Sequence, residues 1–293
     1  MTDSNVLAWP RVAVLLTCFN RRATTLRCLD ALYRQSFEFP RSIDVTLVDD
    51  GSTDGTGDAV ANAFPEVHLV KGSGSLFWVG GMRVAYEYAM KRNPDYILFL
   101  NDDSILVDHA LDTMLHTLRE LSDAHGPCIV TGTMVDPGTG KRTYGGTVLH
   151  VNFGLVRHSQ LDSYPNRARE CTFGNFNCTL VPRAVALRLG NLEKRFSQMR
   201  GDYDYCLRAR RAGFRVWIAP GLIGSCARNS IRGTWQDRSL SLRERWNHLN
   251  SPKGAPIRET SLYYFRHWGV PGLLYAVSPY VKTILGIGLR RFD

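Results

Sequence analysis

Apolar residues in the first hundred positions come in short runs: Val12-Ala13-Val14-Leu15-Leu16 and Tyr96-Ile97-Leu98-Phe99-Leu100 are unbroken, and Ile43 to Val48 and Val67 to Val70 are interrupted only by single polar residues. Runs of this length between polar turns predict buried strands. The stretches between them change period. Ala23, Leu26, Leu29 and Leu32 recur at helical spacing, with Asn20 placed to cap that helix. A short helix is predicted over Asp54 to Phe64 and a longer one over Leu76 to Arg92. Strands alternating with helices predict an α/β fold, a mostly parallel sheet with helices on both faces. In such sheets ligands sit beyond the C-terminal strand ends.

The polar residues gather at those ends. Thr17-Cys18-Phe19-Asn20 follows the first strand and Asp49-Asp50-Gly51-Ser52-Thr53-Asp54-Gly55 the second. Lys71-Gly72-Ser73-Gly74-Ser75 follows the third and Asn101-Asp102-Asp103 the fourth. Four polar loops on one sheet edge predict a nucleotide crevice. The first strand-helix turn carries no GxGxxG and the chain has no Walker A sequence, which argues against a dinucleotide or P-loop site. Two adjacent carboxylates closing a buried strand are costly unless a cation or hydrogen bonds satisfy them. A divalent cation holding a diphosphate would do so. The plainer alternative is a turn at Asn101-Asp102, with Asp103 capping a following helix.

After about residue 128 the pattern becomes more strand-like. Thr143 to Arg157 predicts a hairpin or a mixed-sheet edge, and Phe173-Gly174-Asn175-Phe176-Asn177-Cys178 leads into another apolar run. Gly201 to Gly213 reads as a helix closed by glycine, and Phe214 to Ile218 as a strand.

Composition narrows the setting. At 293 residues the chain can form one large α/β domain or a domain with an extension. Its seven cysteines form no CxxC pair, which excludes the usual zinc and disulfide frameworks and predicts a reducing cytosol. No N-terminal stretch reads as a secretory signal. Residues 1–180 hold 16 Lys/Arg against 20 Asp/Glu, whereas residues 181–293 hold 20 against 7. That basic second part suggests an anionic partner, either a phosphate-bearing ligand or a membrane surface. Nucleic acid is disfavoured, since no RNP-like motif, zinc finger or helix-turn-helix signature occurs.

Taken together, Leu16-Thr17-Cys18-Phe19-Asn20-Arg21, Val48 to Thr56, Leu100-Asn101-Asp102-Asp103 and Asp202-Tyr203-Asp204-Tyr205-Cys206-Leu207-Arg208 resemble a family-2 glycosyltransferase of the GT-A fold, in the rhamnosyltransferase-like branch that builds bacterial surface polysaccharides. The resemblance spans about Val12 to Ile231. It implies a catalytic domain over 1–231, with a nucleotide-sugar half to about 127 and an acceptor half from about 128. It assigns Asp49 to the nucleobase and Asp50 to the ribose or diphosphate, with Thr17, Phe19, Asn20, Arg21, Gly72, Trp78 and Gly81 on the donor side. Asn101-Asp102-Asp103 resembles the family's Asp-x-Asp motif, Asn101 and Asp102 facing the donor and Asp103 binding Mg²⁺ or Mn²⁺. Asp202 falls where the family's catalytic base stands. Asn175, Asn177, Asp204 and Arg228 become candidates for acceptor or diphosphate contacts. Two departures stand out: Gly201 replaces the usual Glu before the base, and no His follows the strand at Phe214–Ile218, where Cys226 is nearest.

Each role has a structural alternative. The Asp49–Gly55 segment is turn-rich in any case. Asp202 reads as a helix cap and Asp204 as an i,i+4 partner of Arg208. Trp78 and Cys226 read as core, and Asn175 and Asn177 as edge-strand turns.

Residues 232–293 form a basic, aromatic extension. The apolar stretch Val270 to Leu289 is broken by Pro271, Pro279 and Lys282, which makes it a poor spanning helix. Arg258, Arg266, Lys282, Arg290 and Arg291 beside Trp268, Tyr275 and Tyr280 suit a segment lying on anionic lipid. The alternative is packing on the catalytic domain or on a second copy, which would make a homodimer. The expectation is therefore an inverting, metal-dependent glycosyltransferase on the inner face of the cell membrane. Its donor would be a nucleotide sugar, dTDP-rhamnose by resemblance, with UDP- and GDP-sugars open. Its acceptor would be a saccharide, lipid-linked by the character of the C-terminus. The rivals are a sugar nucleotidyltransferase and a non-catalytic nucleotide-sugar-binding scaffold.

Overall fold

A computed structural model describes residues 10–36, 42–152 and 155–286. Leu289, Arg290 and Arg291 of the basic C-terminus lie outside the described residues. The first half runs β1 (Arg11–Cys18), α1 (Arg22–Tyr33), β2 (Ser42–Asp49), α2 (Thr56–Ala63), β3 (His68–Lys71), α3 (Phe77–Met90), β4 (Tyr96–Leu100), β5 (Ile105–Leu106) and α4 (Ala110–His125). The second runs β6 (Cys128–Thr131), β7 (Met134–Val135), β8 (Arg142–Tyr144), β9 (Gly146–Asn152), β10 (Leu155–Gln160), β11 (Arg169–Cys171), β12 (Phe173–Gly174), β13 (Cys178–Pro182), α5 (Arg183–Leu189), α6 (Gly201–Arg211), β14 (Arg215–Ile218) and β15 (Gly224–Ser225). Two helices follow, α7 (Leu242–Asn250) and α8 (Ile257–Ile284).

The main sheet has the order β11-β14-β6-β13-β4-β1-β2-β3. β1 pairs in parallel with both β2 and β4. The chain therefore runs outward from β1 to β3 and returns on the other side of β1. That reversal opens a crevice beyond the C-terminal ends of β1 and β4, the place such sheets give to ligands. β13 is antiparallel to both its neighbours, β4 and β6. The sheet is thus mostly rather than wholly parallel.

Alternation along β1 divides the core. Val12, Val14 and Leu16 face Leu29 and Leu32 of α1 and Met114 and Leu118 of α4. Ala13 and Leu15 face Val79 and Met82 of α3, Tyr205 of α6 and Tyr263 of α8. Both faces are buried, which is why β1 and β4 read as unbroken apolar runs. β9 and β10 form the hairpin expected over Thr143–Arg157. β15 lies between β5 and β7 in a second small sheet.

The C-terminal extension is not detached. Tyr263 is buried in the second core, and Glu259 accepts hydrogen bonds from Ser197 N and Oγ. α8 kinks at Gly269, whose φ of 63° interrupts the helix. Beyond the kink Val270, Leu274, Val277, Val281 and Ile284 are exposed. No helix among the described residues is long and apolar enough to cross a membrane.

Candidate active site

β1, β2 and β4 deliver their polar ends to one crevice. A cavity of about 180 Å³ is lined there by Thr17, Phe19, Arg21, Asp50, Trp78 and Asp102, among others. Arg21 closes it from the α1 side. Its Nη1 donates to Asp102 Oδ1 at 2.9 Å and its Nη2 to Asp103 Oδ2 at 2.7 Å. Thr25 Oγ1 donates to the other Asp102 oxygen at 3.3 Å. Burial pushes the Asp102 carboxyl up to about 7, against the pull of Arg21. Arg21 is therefore the internal cation that satisfies the two adjacent carboxylates.

Asp103 does not cap the next helix, since β5 intervenes before α4 begins at Ala110. Its Oδ1 accepts from Cys226 Sγ at 3.3 Å, and Asn177 Nδ2 donates to the same sulfur at 3.4 Å. β15 fixes this contact, because Cys226 N donates to Val135 O one residue beyond the strand. Burial, aided by the Asp103 charge, pushes the thiol up to about 12, so it stays protonated. Among the described residues no three His, Cys, Asp or Glu gather as a metal-binding group. Asp103 offers a hard carboxylate beside the cavity, bonded to the same Arg21 that lines it with Asp50 and Asp102. One carboxylate fits a cation of the Mg²⁺ type when substrate phosphates supply the other ligands.

Asp50 lines the cavity, but most of its carboxylate is engaged. Oδ1 accepts from Gly74 N at 2.8 Å, and Oδ2 from Leu76 N at 2.9 Å and Phe77 N at 3.0 Å. It anchors the entry to α3 and keeps about one acceptor site in reserve. Asp49 Oδ1 accepts from Ser52 N at 2.8 Å, and its Oδ2 accepts no hydrogen bond among the described residues. Trp78 donates from Nε1 to Asn101 Oδ1 at 2.8 Å, which leaves the Asn101 amide N–H groups for a ligand.

Asp202 stands in the first turn of α6. A Cβ on Gly201 would come within 2.7 Å of Val79 and 3.3 Å of Trp78. Only glycine lets α6 start this close to α3 and to the cavity-lining Trp78. Tyr203 N donates to Asp202 Oδ1 at 2.8 Å. Burial pushes the Asp202 carboxyl up to about 6, opposed by hydrogen bonds from the backbone of Tyr203 and Phe176 and from the Asn175 side chain. The helix N-terminus does not offset that burial. Asn175 and Asn177 are two residues apart, at most about 7 Å along the chain. One short segment thus touches the Asp202 side through Asn175 and the Asp103 side through Asn177.

Several expected ligands have other work. Asn20 does not cap α1: the N-cap is Arg21, with no side-chain bond. Asn20 instead takes φ 51° and accepts from Thr53 N at 2.7 Å, tying the β1–α1 turn to the β2–α2 turn. Gly81 does not face the cavity, because a Cβ there would meet Thr17 Oγ1 at 2.1 Å. It lets α3 close on β1. Gly72 makes the same kind of close approach to Asp50, at 2.7 Å. Asn175 is engaged at both ends of its amide, by Gly145 N at 3.4 Å and Tyr203 Oη at 3.0 Å, so it supports Asp202 rather than meeting substrate. Asn177 likewise reaches Cys226 and does not line the cavity. Asp204 is fully buried and bonded to Arg208 at 2.8 Å, Arg266 at 2.8 Å and His267 at 3.0 Å. It is no acceptor or diphosphate contact. Arg228 donates to Thr143 O at 3.1 Å and, with Arg232, lines an open groove outside the cavity. Five lining residues were not among the candidates: Cys18, Gly74 and Phe77 lie beside candidates on the same segments, while Gln198 and Lys253 come from elsewhere in the chain. Gln198 accepts from Trp78 N at 3.0 Å, and nothing in the local pattern around either residue marks it.

The family described as glycosyltransferase-like family 2 matches residues 10–248. The chain belongs to glycosyltransferase family 2. The match runs through most of α7, beyond the Val12–Ile231 span that the motifs suggested. The glycosyltransferase is similar in fold to a mannosyltransferase from Pyrobaculum calidifontis in complex with GDP-Man and Mn²⁺, at 17% identity and a TM-score of 0.55. The superposition covers 94% of this chain and 76% of the mannosyltransferase. That likeness establishes the GT-A architecture of the glycosyltransferase. A search of curated proteins finds no match.

Proposed function

We propose that the glycosyltransferase moves a sugar from a nucleoside-diphosphate donor to a hydroxyl of a saccharide acceptor, with inversion. The observation that carries this is the crevice at the β1/β4 reversal, walled by Arg21 and Asp102, with Asp103 on the same arginine and with the Asn175–Asn177 segment joining the Asp103 side to Asp202. Phe19 is exposed at the cavity wall; Asp49, buried at the end of β2, would read the nucleobase, and Asn101, held by Trp78, would meet ribose or sugar hydroxyls. Asp103 would hold a Mg²⁺ or Mn²⁺ with the donor phosphates, which would supply Lewis-acid neutralisation of the leaving diphosphate. The Mn²⁺ and GDP-Man of the Pyrobaculum complex support that class of donor and cation. GDP-mannose therefore joins dTDP-rhamnose and UDP-sugars as candidates.

Asp202 accepts the proton of the acceptor hydroxyl as its oxygen bonds to the anomeric carbon. The bond from that carbon to the diphosphate breaks on the opposite face, and its electron pair leaves on the diphosphate. With a carboxyl at about 6, Asp202 is mostly ionised at pH 7 and ready to take the proton. Asn175 and the Tyr203 and Phe176 backbone hold it in place.

The acceptor in this reading is a lipid-linked saccharide met at an anionic membrane surface, in cell-surface polysaccharide synthesis. The exposed stripe of α8, with Lys282 beside it, supports that placement. The direct test is turnover of UDP-, GDP- and dTDP-sugars with Mn²⁺ and a lipid-linked acceptor. Release of the nucleoside diphosphate supports the proposal. Pyrophosphate as product would instead indicate a nucleotidyltransferase, and donor binding without turnover a scaffold.

A further inference from the structure

We infer that Lys253, in the turn joining α7 to α8, is a donor-binding residue whose ammonium receives the diphosphate of the nucleotide sugar. The inference rests on reading the cavity as the donor site. Lys253 lies beyond residues 10–248, the part that matches the family, yet it lines the same cavity as Arg21, Asp50 and Asp102.

The charges of the cavity single it out. The Asp50 carboxylate is engaged by three backbone N–H groups. Arg21 and Thr25 satisfy Asp102, and Arg21 is shared between Asp102 and Asp103. Lys253 is exposed and has no hydrogen bond or ion pair among the described residues. Of the charged side chains that line the cavity, it is the one with no partner among the described residues, and it is positive. An ammonium is a compact point charge with three donors, well suited to phosphate oxygens.

The turn is built to present it. Gly254 N donates to Ser251 O at 2.8 Å and Ala255 N to Leu249 O at 2.8 Å. A Cβ on Gly254 would meet His248 O at 2.2 Å, so only glycine lets the turn fold back on the end of α7. From α8, Tyr280 Oη donates to Asn250 Oδ1 at 2.9 Å and to Ala255 O at 3.2 Å. Leu249 and Ala255 are buried beneath it. The backbone on both sides of Lys253 is thus pinned while its side chain reaches the cavity. The extension would then complete the donor site.

The test compares Lys253→Met and Lys253→Arg with wild type in calorimetric titrations of UDP, GDP and dTDP and of their monophosphates, using the full chain. For the diphosphate that wild type prefers, Lys253→Met should weaken binding about ten-fold or more, the scale of a lost charged hydrogen bond. Lys253→Arg should restore most of it, and the matching monophosphate should bind Lys253→Met within about two-fold of wild type. The exposed side chain leaves the melting temperature unchanged, which controls for folding. Equal diphosphate affinity in wild type and Lys253→Met would overturn the inference while leaving the donor site standing. If no nucleoside diphosphate binds wild type, the donor-site reading fails and the inference fails with it.

Discussion

Asp202 is held in a position that burial makes unfavourable for its charge. Its carboxyl stands near 6 rather than in the ordinary carboxylate range. A raised carboxyl destabilises the fold once pH rises above the unfolded value, and the full penalty is reached above the folded one. Substituting Asp202→Asn should therefore raise thermal stability at pH 7 by on the order of 1–3 kcal/mol. The gain should fade as pH falls from about 6 toward 4, the folded and unfolded values. The same change should lower kcat about 10²–10⁴-fold by removing the base. In wild type, kcat/KM should fall as pH drops through about 6, where the base becomes protonated. A residue that costs stability and supports turnover is the expected signature of a functional carboxylate. Asp204, two residues on, is the opposite case. His267, Arg208 and Arg266 outweigh burial and hold its carboxyl below the ordinary value.

At the scale of elements, Asp204 joins α6 to α8. Arg266 bridges Asp204 and Glu193, and Arg208 reaches Leu189 O and Asn191 O as well as Asp204. Asp204→Ala would strand two arginines around a buried vacancy. Denaturant titration should show a loss of about 3–5 kcal/mol, the usual cost of removing one partner of a buried ion pair. Because the carboxyl is depressed, its contribution is present at neutral pH and is lost as pH falls below about 4, so the variant and wild type should converge in acid. The inner strands β1 and β4 were legible at this scale because both their faces are buried, whereas β3 at the sheet edge is only part-buried. β1, β2, β3 and β4 fall within a residue or two of the apolar runs. The direction of β13 was not legible, since an apolar run between two strands reads the same in either direction. Nor was the role of Gly72 and Gly81, where the same missing Cβ serves ligand approach or helix packing. Asn20 illustrates a further limit. The cap preference of asparagine and its tolerance of positive φ favour the same residue, and here the positive φ prevailed.

Across the whole molecule, the parts of the site that sequence marked are those on strand ends, where Arg21, Asp102 and Asp103 converge. The parts it could not mark come from distant segments, Gln198 before α6 and Lys253 from the extension, and Cys226 after β15 was marked by position but not by its contact with Asp103. Gln198 meets Trp78 across a separation of 120 positions and Cys226 meets Asp103 across 123, and no local period encodes such contacts. The extension itself divides at Gly269. Its first part is bound to the catalytic body through Glu259, Tyr263 and Arg266. Its second part exposes apolar residues at successive spacings of four and three, one face of a helix. Vesicles containing anionic lipid should retain the wild-type chain in flotation. Replacing Leu274, Val277 and Val281 together with Ser should abolish retention without lowering turnover of a soluble acceptor. Retention unchanged by that replacement would assign the stripe elsewhere, and a concentration-dependent dimer lost with it would assign it to a second copy.

The central claim is that the β1/β4 crevice takes a nucleotide sugar through Asp103 and a divalent cation. A thermal-shift panel of UDP-, GDP- and dTDP-sugars with and without Mn²⁺, on wild type and Asp103→Ala, tests it most directly, because a ligand that binds only the native state raises the melting temperature. The account predicts that one nucleotide class stabilises wild type in a Mn²⁺-dependent manner and that Asp103→Ala loses the dependence. A wild type that no sugar nucleotide stabilises, or an Asp103→Ala variant that responds to Mn²⁺ as wild type does, would contradict it.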